Sequence, residues 1–154
     1  MQKTNDNHIS QGIADKLCGL HNMLDRGTKA FKDSAQSIQN EYTKQTVMSL
    51  ALESDQYAHE LYSQLQSLGL ENDMPESADC NALIENIHSV ATAQDPDELL
   101  AAWNKSESLY EKVYRDILNE YHPYQALRKL ISYQLNGLKC GFMKMRLLHQ
   151  LLYS

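Results

Sequence analysis

Four long stretches of the chain repeat their apolar residues at intervals of three and four, the spacing that gathers one face of an α-helix. The first runs through Ile9, Ile13, Leu17, Leu20, Leu24, Gly27, Phe31 and Ile38, with Asn5, Asp6 and Asn7 ahead of it as capping residues. It predicts a helix over about 7–38. The second, through Val47, Ala51, Ser54, Ala58, Leu61, Leu65 and Leu68, predicts a helix over about 41–68 that stops at Gly69. The third aligns Leu99, Trp103, Glu107, Tyr110, Tyr114, Ile117 and Tyr121 over about 96–121. Asp95-Pro96-Asp97-Glu98 starts it with a cap, a proline at the first helical position and acids in the first turn. His122-Pro123 ends it, because the residue before a proline avoids the helical region. The fourth, over about 124–152, faces inward with Leu127, Leu130, Ile131, Gln134, Leu138, Gly141, Met145, Leu148 and Leu152. Between the second and third, Glu71 to Asp79 is polar, contains Pro75 and reads as a loop. Leu83, Ile84, Ile87 and Val90 then mark a short amphipathic helix over about 81–94.

Four long helices and one short one make an all-α bundle, a single domain spanning 1–154. The first two helices are joined tightly, as are the last two, so each pair is predicted to be an antiparallel hairpin. Gly69 to Gln94 is long enough to carry a short helix and extended chain along a bundle of ~40 Å. One long crossover between two hairpins is the connectivity of ferritin-like four-helix bundles. A simple up-down bundle with an excursion is the alternative.

Charge adds to this picture. Glu71 to Glu120 holds twelve acids against Lys105, Lys112 and Arg115, whereas Tyr121 to Ser154 holds five Lys or Arg and no acid. An acidic third long helix therefore suits a basic fourth as its neighbour. The net charge of −6 argues against nucleic acid as a partner, since such proteins carry a basic footprint. No apolar run approaches the ~20 residues of a membrane span, and the polar start from Met1 to His8 does not read as a secretory leader. Cys18, Cys80 and Cys140 are odd in number and far apart, as reduced thiols are. These features predict a soluble, cytoplasmic protein with no membrane partner. A second apolar stripe on the last helix, Cys140, Met143, Leu147 and Leu151, needs a cover, either the short helix or another subunit. A homo-oligomer joined through Leu147 and Leu151 is the expectation.

The residue that raises the question of chemistry is Glu107, a carboxylate in the middle of an aromatic stripe. A buried carboxylate must be paired, protonated, metal-bound or close to water. Ferritin-like di-iron centres draw a Glu from each of two helices and a Glu-x-x-His from each of the other two. Here Glu107, Glu53 and His21 are the candidate metal ligands, and Asp25 flanks the first helix as well. Asp55 and His59 stand one turn apart on a face turned away from Ser54 and Leu61. The one Glu-x-x-His, Glu85 to His88, falls on the water side of the short helix. The fourth long helix offers Gln134 and no carboxylate. The favoured reading is a buried polar core of Glu107, Gln134, Tyr110 and Tyr114, in which a hairpin at His122-Pro123 brings Gln134 opposite Tyr110 and Glu111. No phosphate-binding loop, nucleophile elbow or catalytic residue is identified, and no cofactor is called for beyond a metal ion at Glu107 as the alternative.

Short motifs also resemble a family of ferritin-like bacterial bundles classed as a domain of unknown function, with D-G-x-x-G-[FY]-x-x-A-A in the first helix. The matching stretch is Arg26-Gly27-Thr28-Lys29-Ala30-Phe31-Lys32-Asp33-Ser34-Ala35, with Arg26 where the family has Asp and Ala30 where it has its second Gly. The second helix matches over Ser54 to Leu61, the third through Ser106-Glu107 with Tyr114 seven residues on, and the fourth through Tyr133-Gln134. The resemblance spans about His8 to Leu148 and implies the ferritin-like fold. It carries no reaction. The sequence therefore reads as a non-enzymatic bundle that self-associates or binds a partner, and the alternative is an iron-binding or redox bundle around Glu107.

Overall fold

The computed structural model describes residues 11–70, 77–93, 95–120 and 124–153. All of its regular structure there is helical, in five helices, α1 (Gln11–Ser37), α2 (Glu41–Ser67), α3 (Ala78–Thr92), α4 (Pro96–Leu118) and α5 (Gln125–Tyr153). The caps expected at Asn5 to Asn7, the turn at His122-Pro123 and Tyr121 lie outside the described residues.

The local chemistry explains the observed ends. Asn40 accepts a hydrogen bond from the Thr43 amide at 3.0 Å and so satisfies one orphan donor at the start of α2. Gly69, at φ 72°, takes the left-handed turn that ends α2, and the Leu70 amide donates back to the Leu65 carbonyl at 2.9 Å. Asp95 caps α4 through the Glu98 amide at 2.9 Å. Helix α3 begins earlier than the periodicity suggests, because the Ser77 hydroxyl accepts from the Cys80 amide at 3.0 Å and Asp79 complements the first turn. The stretch expected as loop thus contains a cap and the first turn of a helix. Helix α4 stops at Leu118, before the proline, and α5 starts at Gln125.

Side-chain contacts fix the directions. Ser54 donates to the Leu24 carbonyl and His21 meets the Tyr62 ring, so the earlier residue of α1 meets the later one of α2 and the two helices run antiparallel. Lys16 meets Glu120 while Gly27 meets Tyr110, which makes α4 antiparallel to α1. Helix α5 is antiparallel to α4, through Glu111 with Lys139 and Glu107 with Arg146, and to α2, through Tyr57 with Gln134 and Leu50 with Gly141. Helices α2 and α4 therefore point the same way, and the chain between them must return along the molecule. Helix α3 makes that return. It runs parallel to α1, with Arg26 at Asn81 and Ser34 at the Ile87 carbonyl, and lies in the seam between α1 and α4. Cys80, Leu83, Ile87 and Val90 are its buried face.

The core fills the space between these helices. Leu17, Leu20, Leu24, Phe31, Leu50, Leu61, Leu65, Trp103 and Phe142 are completely enclosed. Phe142 stands between Phe31 and Tyr110, with ring centroids 6.4 and 6.2 Å away, and links α5 to α1 and α4 through the centre. Because α3 is committed to the α1–α4 seam, it leaves the outer stripe of α5 uncovered.

Candidate functional site

The polar heart of the bundle is Gln134. Its side chain is completely buried, and its amide nitrogen donates to the Tyr57 carbonyl at 3.1 Å and to Glu60 Oε1 at 3.2 Å. Its oxygen accepts from the Tyr114 hydroxyl at 2.9 Å. A buried amide with donors and oxygen all engaged pins three helices in one register. Alongside, the Tyr57 hydroxyl donates to Glu53 Oε2 at 2.6 Å.

Two glycines on α5 make room for this. A Cβ on Gly137 would fall 1.8 Å from the Tyr57 hydroxyl, and one on Gly141 would fall 2.7 Å from Leu50 Cδ2. Gly137-x-x-x-Gly141 is therefore the slot that receives α2. Gly27 does the same on α1, where a Cβ would come within 2.3 Å of the Tyr110 hydroxyl. That hydroxyl is fully buried and makes no well-formed hydrogen bond among the described residues. Its neighbour Ser54 directs its own proton to Leu24. Burial pushes the Tyr57, Tyr110 and Tyr114 phenols well above the ordinary tyrosine range; the Glu53 carboxylate adds to this at Tyr57, and Ser54 offsets part of it at Tyr110.

Glu107 does not join this cluster. Its side chain sits at the α4–α5 edge and pairs with Arg146, while Gln134 lies opposite Tyr114, about one turn from the expected level. Helix α4 ends at Leu118 and α5 starts at Gln125, and the two helices meet in a different register from the one expected for helices running to the proline. The Arg146 guanidinium supplies the counter-charge to Glu107. Next to it, Glu111 accepts from Lys139 at 3.0 Å and from Arg115 at 2.7 Å; those two hydrogen bonds hold its carboxyl below the usual range.

No family model, curated protein or solved structure matches the chain. The site is therefore read from its own geometry. The metal candidates stand at three different interfaces, Glu107 between α4 and α5, Glu53 between α2 and α5, and His21 on the outer edge of α1 and α2 against Tyr62. Among the described residues, no three His, Cys, Asp or Glu side chains are gathered as a ligand set in the arrangement observed. Glu85 and His88 are both exposed on α3. Burial and the nearby Asp15 raise the Cys18 thiol, the opposite of an activated nucleophile.

The surface offers more than the interior. Met143, Leu147 and Leu151 are 52, 53 and 82 % exposed, and Cys140 is exposed beside them. With Tyr133 they form one outward stripe along α5. No described helix is long and apolar enough to cross a membrane. The signal for the stripe was present in the sequence. The roles of Tyr57, Gly137 and Arg146 were not, since each depends on the register between helices.

Proposed function

We propose that the chain is a ferritin-like helical bundle with a structural interior, and that it pairs with a second copy of itself through the outer face of α5. Two antiparallel hairpins and a crossover through α3 support the ferritin-like reading, as that is the fold's connectivity. At the level where such a bundle would hold a metal, α5 supplies the neutral Gln134, and its hydrogen bonds are already taken by protein groups.

The observation that carries the pairing is the stripe Met143, Leu147 and Leu151, exposed along a helix whose other faces are packed. The same stripe on a second copy is its own complement about a two-fold axis. Charge favours this occupant. Among the described residues, Lys144 beside the stripe has no carboxylate partner, and Glu53 and Glu60 on the neighbouring edge of α2 have no cation. An antiparallel pair of α5 helices centred near Met143 sets Lys144 of one copy towards the Glu53 edge of the other.

Light scattering on the full chain at micromolar concentration tests the reading. A mass of two chains that falls to one with Leu147→Lys supports it. A single-chain mass at every concentration, unchanged by the substitution, contradicts it.

A further inference from the structure

We infer that the recess at the end of the bundle where α1 stops is a binding site for a small organic ammonium ion, a protonated amine on a short apolar body. Every helix has one end here. The directions of the helices bring the C-terminal ends of α1, α3 and α5 together with the N-terminal ends of α2 and α4. Ser37, Asn40, Ala93, Asp95 and Tyr153, one from each of those ends, line a single recess of about 370 Å³. That is room for a small molecule.

The charge of the helix ends decides what suits it. A helix carries partial positive charge at its N-terminus and partial negative charge at its C-terminus. The two positive ends are met within the chain, since Asn40 and Asp95 cap them and Glu41, Asp97 and Glu98 stand in their first turns. The three negative ends are not, because α1, α3 and α5 have no basic residue in the last turn. Among the described residues, no Lys or Arg lines the recess, and its one charged lining group is the exposed Asp95 carboxylate. The charge missing here is positive.

The walls favour an organic cation over a bare ion. Ile38, Val90, Pro96 and Leu99 make them largely apolar, and Tyr153 adds an aromatic ring. That ring is braced, since it packs on His149 with centroids 5.1 Å apart, and His149 Nε2 donates to the Pro96 carbonyl at 2.8 Å. A carboxylate and an aromatic face around apolar walls are the groups that recognise an alkylammonium. An inorganic ion would leave the apolar walls without a partner, and an organic anion would meet Asp95 and three helix C-termini of its own sign. The recess contains none of Met143, Leu147 and Leu151, so the site stands or falls independently of the α5 pairing.

Amide NMR spectra of the full chain, titrated with phenethylammonium as the probe and with phenylacetate and phenylethanol as its anionic and neutral counterparts, test the inference. Saturable shifts gathered at Ile38, Thr43, Val90 and Leu99 are expected with the ammonium compound, at a Kd of about 1 mM or tighter. Asp95→Asn keeps the cap on α4, because Asn caps a helix as well as Asp does, and removes only the charge. It should weaken binding about fivefold, the upper end for an exposed ion pair. Tyr153→Ala should weaken it about two- to fivefold through loss of the aromatic face. Asp116→Asn, near the opposite end of α4, should leave the affinity unchanged. No saturable binding, equal binding of either counterpart, an affinity that Asp95→Asn or Tyr153→Ala leaves unchanged, or an equal loss with Asp116→Asn would each overturn the assignment.

Discussion

The Tyr110 hydroxyl is an anomaly with a measurable consequence. It is buried without a well-formed partner and occupies the space that an alanine at position 27 would need. Its polar neighbour Ser54 already gives its proton to Leu24, so Tyr110→Phe should cost little in hydrogen bonding and leave stability unchanged or raise it by up to about 1 kcal/mol. Gly27→Ala alone should destabilise, because its Cβ meets the hydroxyl. In the Tyr110→Phe background the nearest ring carbon is 3.6 Å away, an ordinary contact, and the helix gains the ~1 kcal/mol that Ala holds over Gly. Urea denaturation of the four proteins should show this reversal of sign; equal effects of Gly27→Ala in both backgrounds would refute it. Glu107 belongs at the same scale. Its partner Arg146 is about one-third exposed and can be solvated when the charge is lost, so Glu107→Gln should cost about 1 kcal/mol or less. A loss above about 3 kcal/mol in the same measurement would mark a carboxylate with a larger role.

At the scale of elements, α3 contributes a face to the core. Its Ile87 is completely buried, and the Ile87 carbonyl accepts from Ser34 at 2.9 Å. Ile87→Ala should cost about 2–5 kcal/mol by thermal or chemical unfolding, the ordinary loss for a buried aliphatic. A cost below 1 kcal/mol would mean that α3 opens freely from the α1–α4 seam. The existence of all five helices was legible in the sequence, because each keeps one apolar face at helical period. What could not be read was how they stand against one another. Asn40, Gly69 and Asp95 act locally, and the sequence locates them. Arg146 finds Glu107, and His21 meets Tyr62, only through the register of a hairpin, which core packing decides. Ser77 is the exception, a local capping signal hidden in a stretch whose proline and polarity read as loop.

At the scale of the whole molecule, burial of phenols sets a limit at high pH. Tyr57, Tyr110 and Tyr114 all ionise above their ordinary value in the fold. The unfolded chain begins to lose these protons near pH 10, while the folded chain keeps them, so the stabilisation is complete below that point and is lost as pH rises through it. Thermal midpoints should therefore fall steadily above about pH 10, and Tyr57→Phe should flatten the decline. A midpoint flat to pH 11 would contradict the buried phenols. The same packing that fills the interior with tyrosine leaves its apolar surplus on the outside of α5. Leu147 and Leu151 are exposed there, and the central proposal is that a second copy covers them. Sedimentation equilibrium of the full chain beside Leu147→Lys and Leu52→Lys tests it most directly, because Leu52 is equally exposed but lies on α2, away from the stripe. The account predicts a dimer that Leu147→Lys splits and Leu52→Lys leaves intact. A monomer throughout, or a dimer that only Leu52→Lys disrupts, would contradict it.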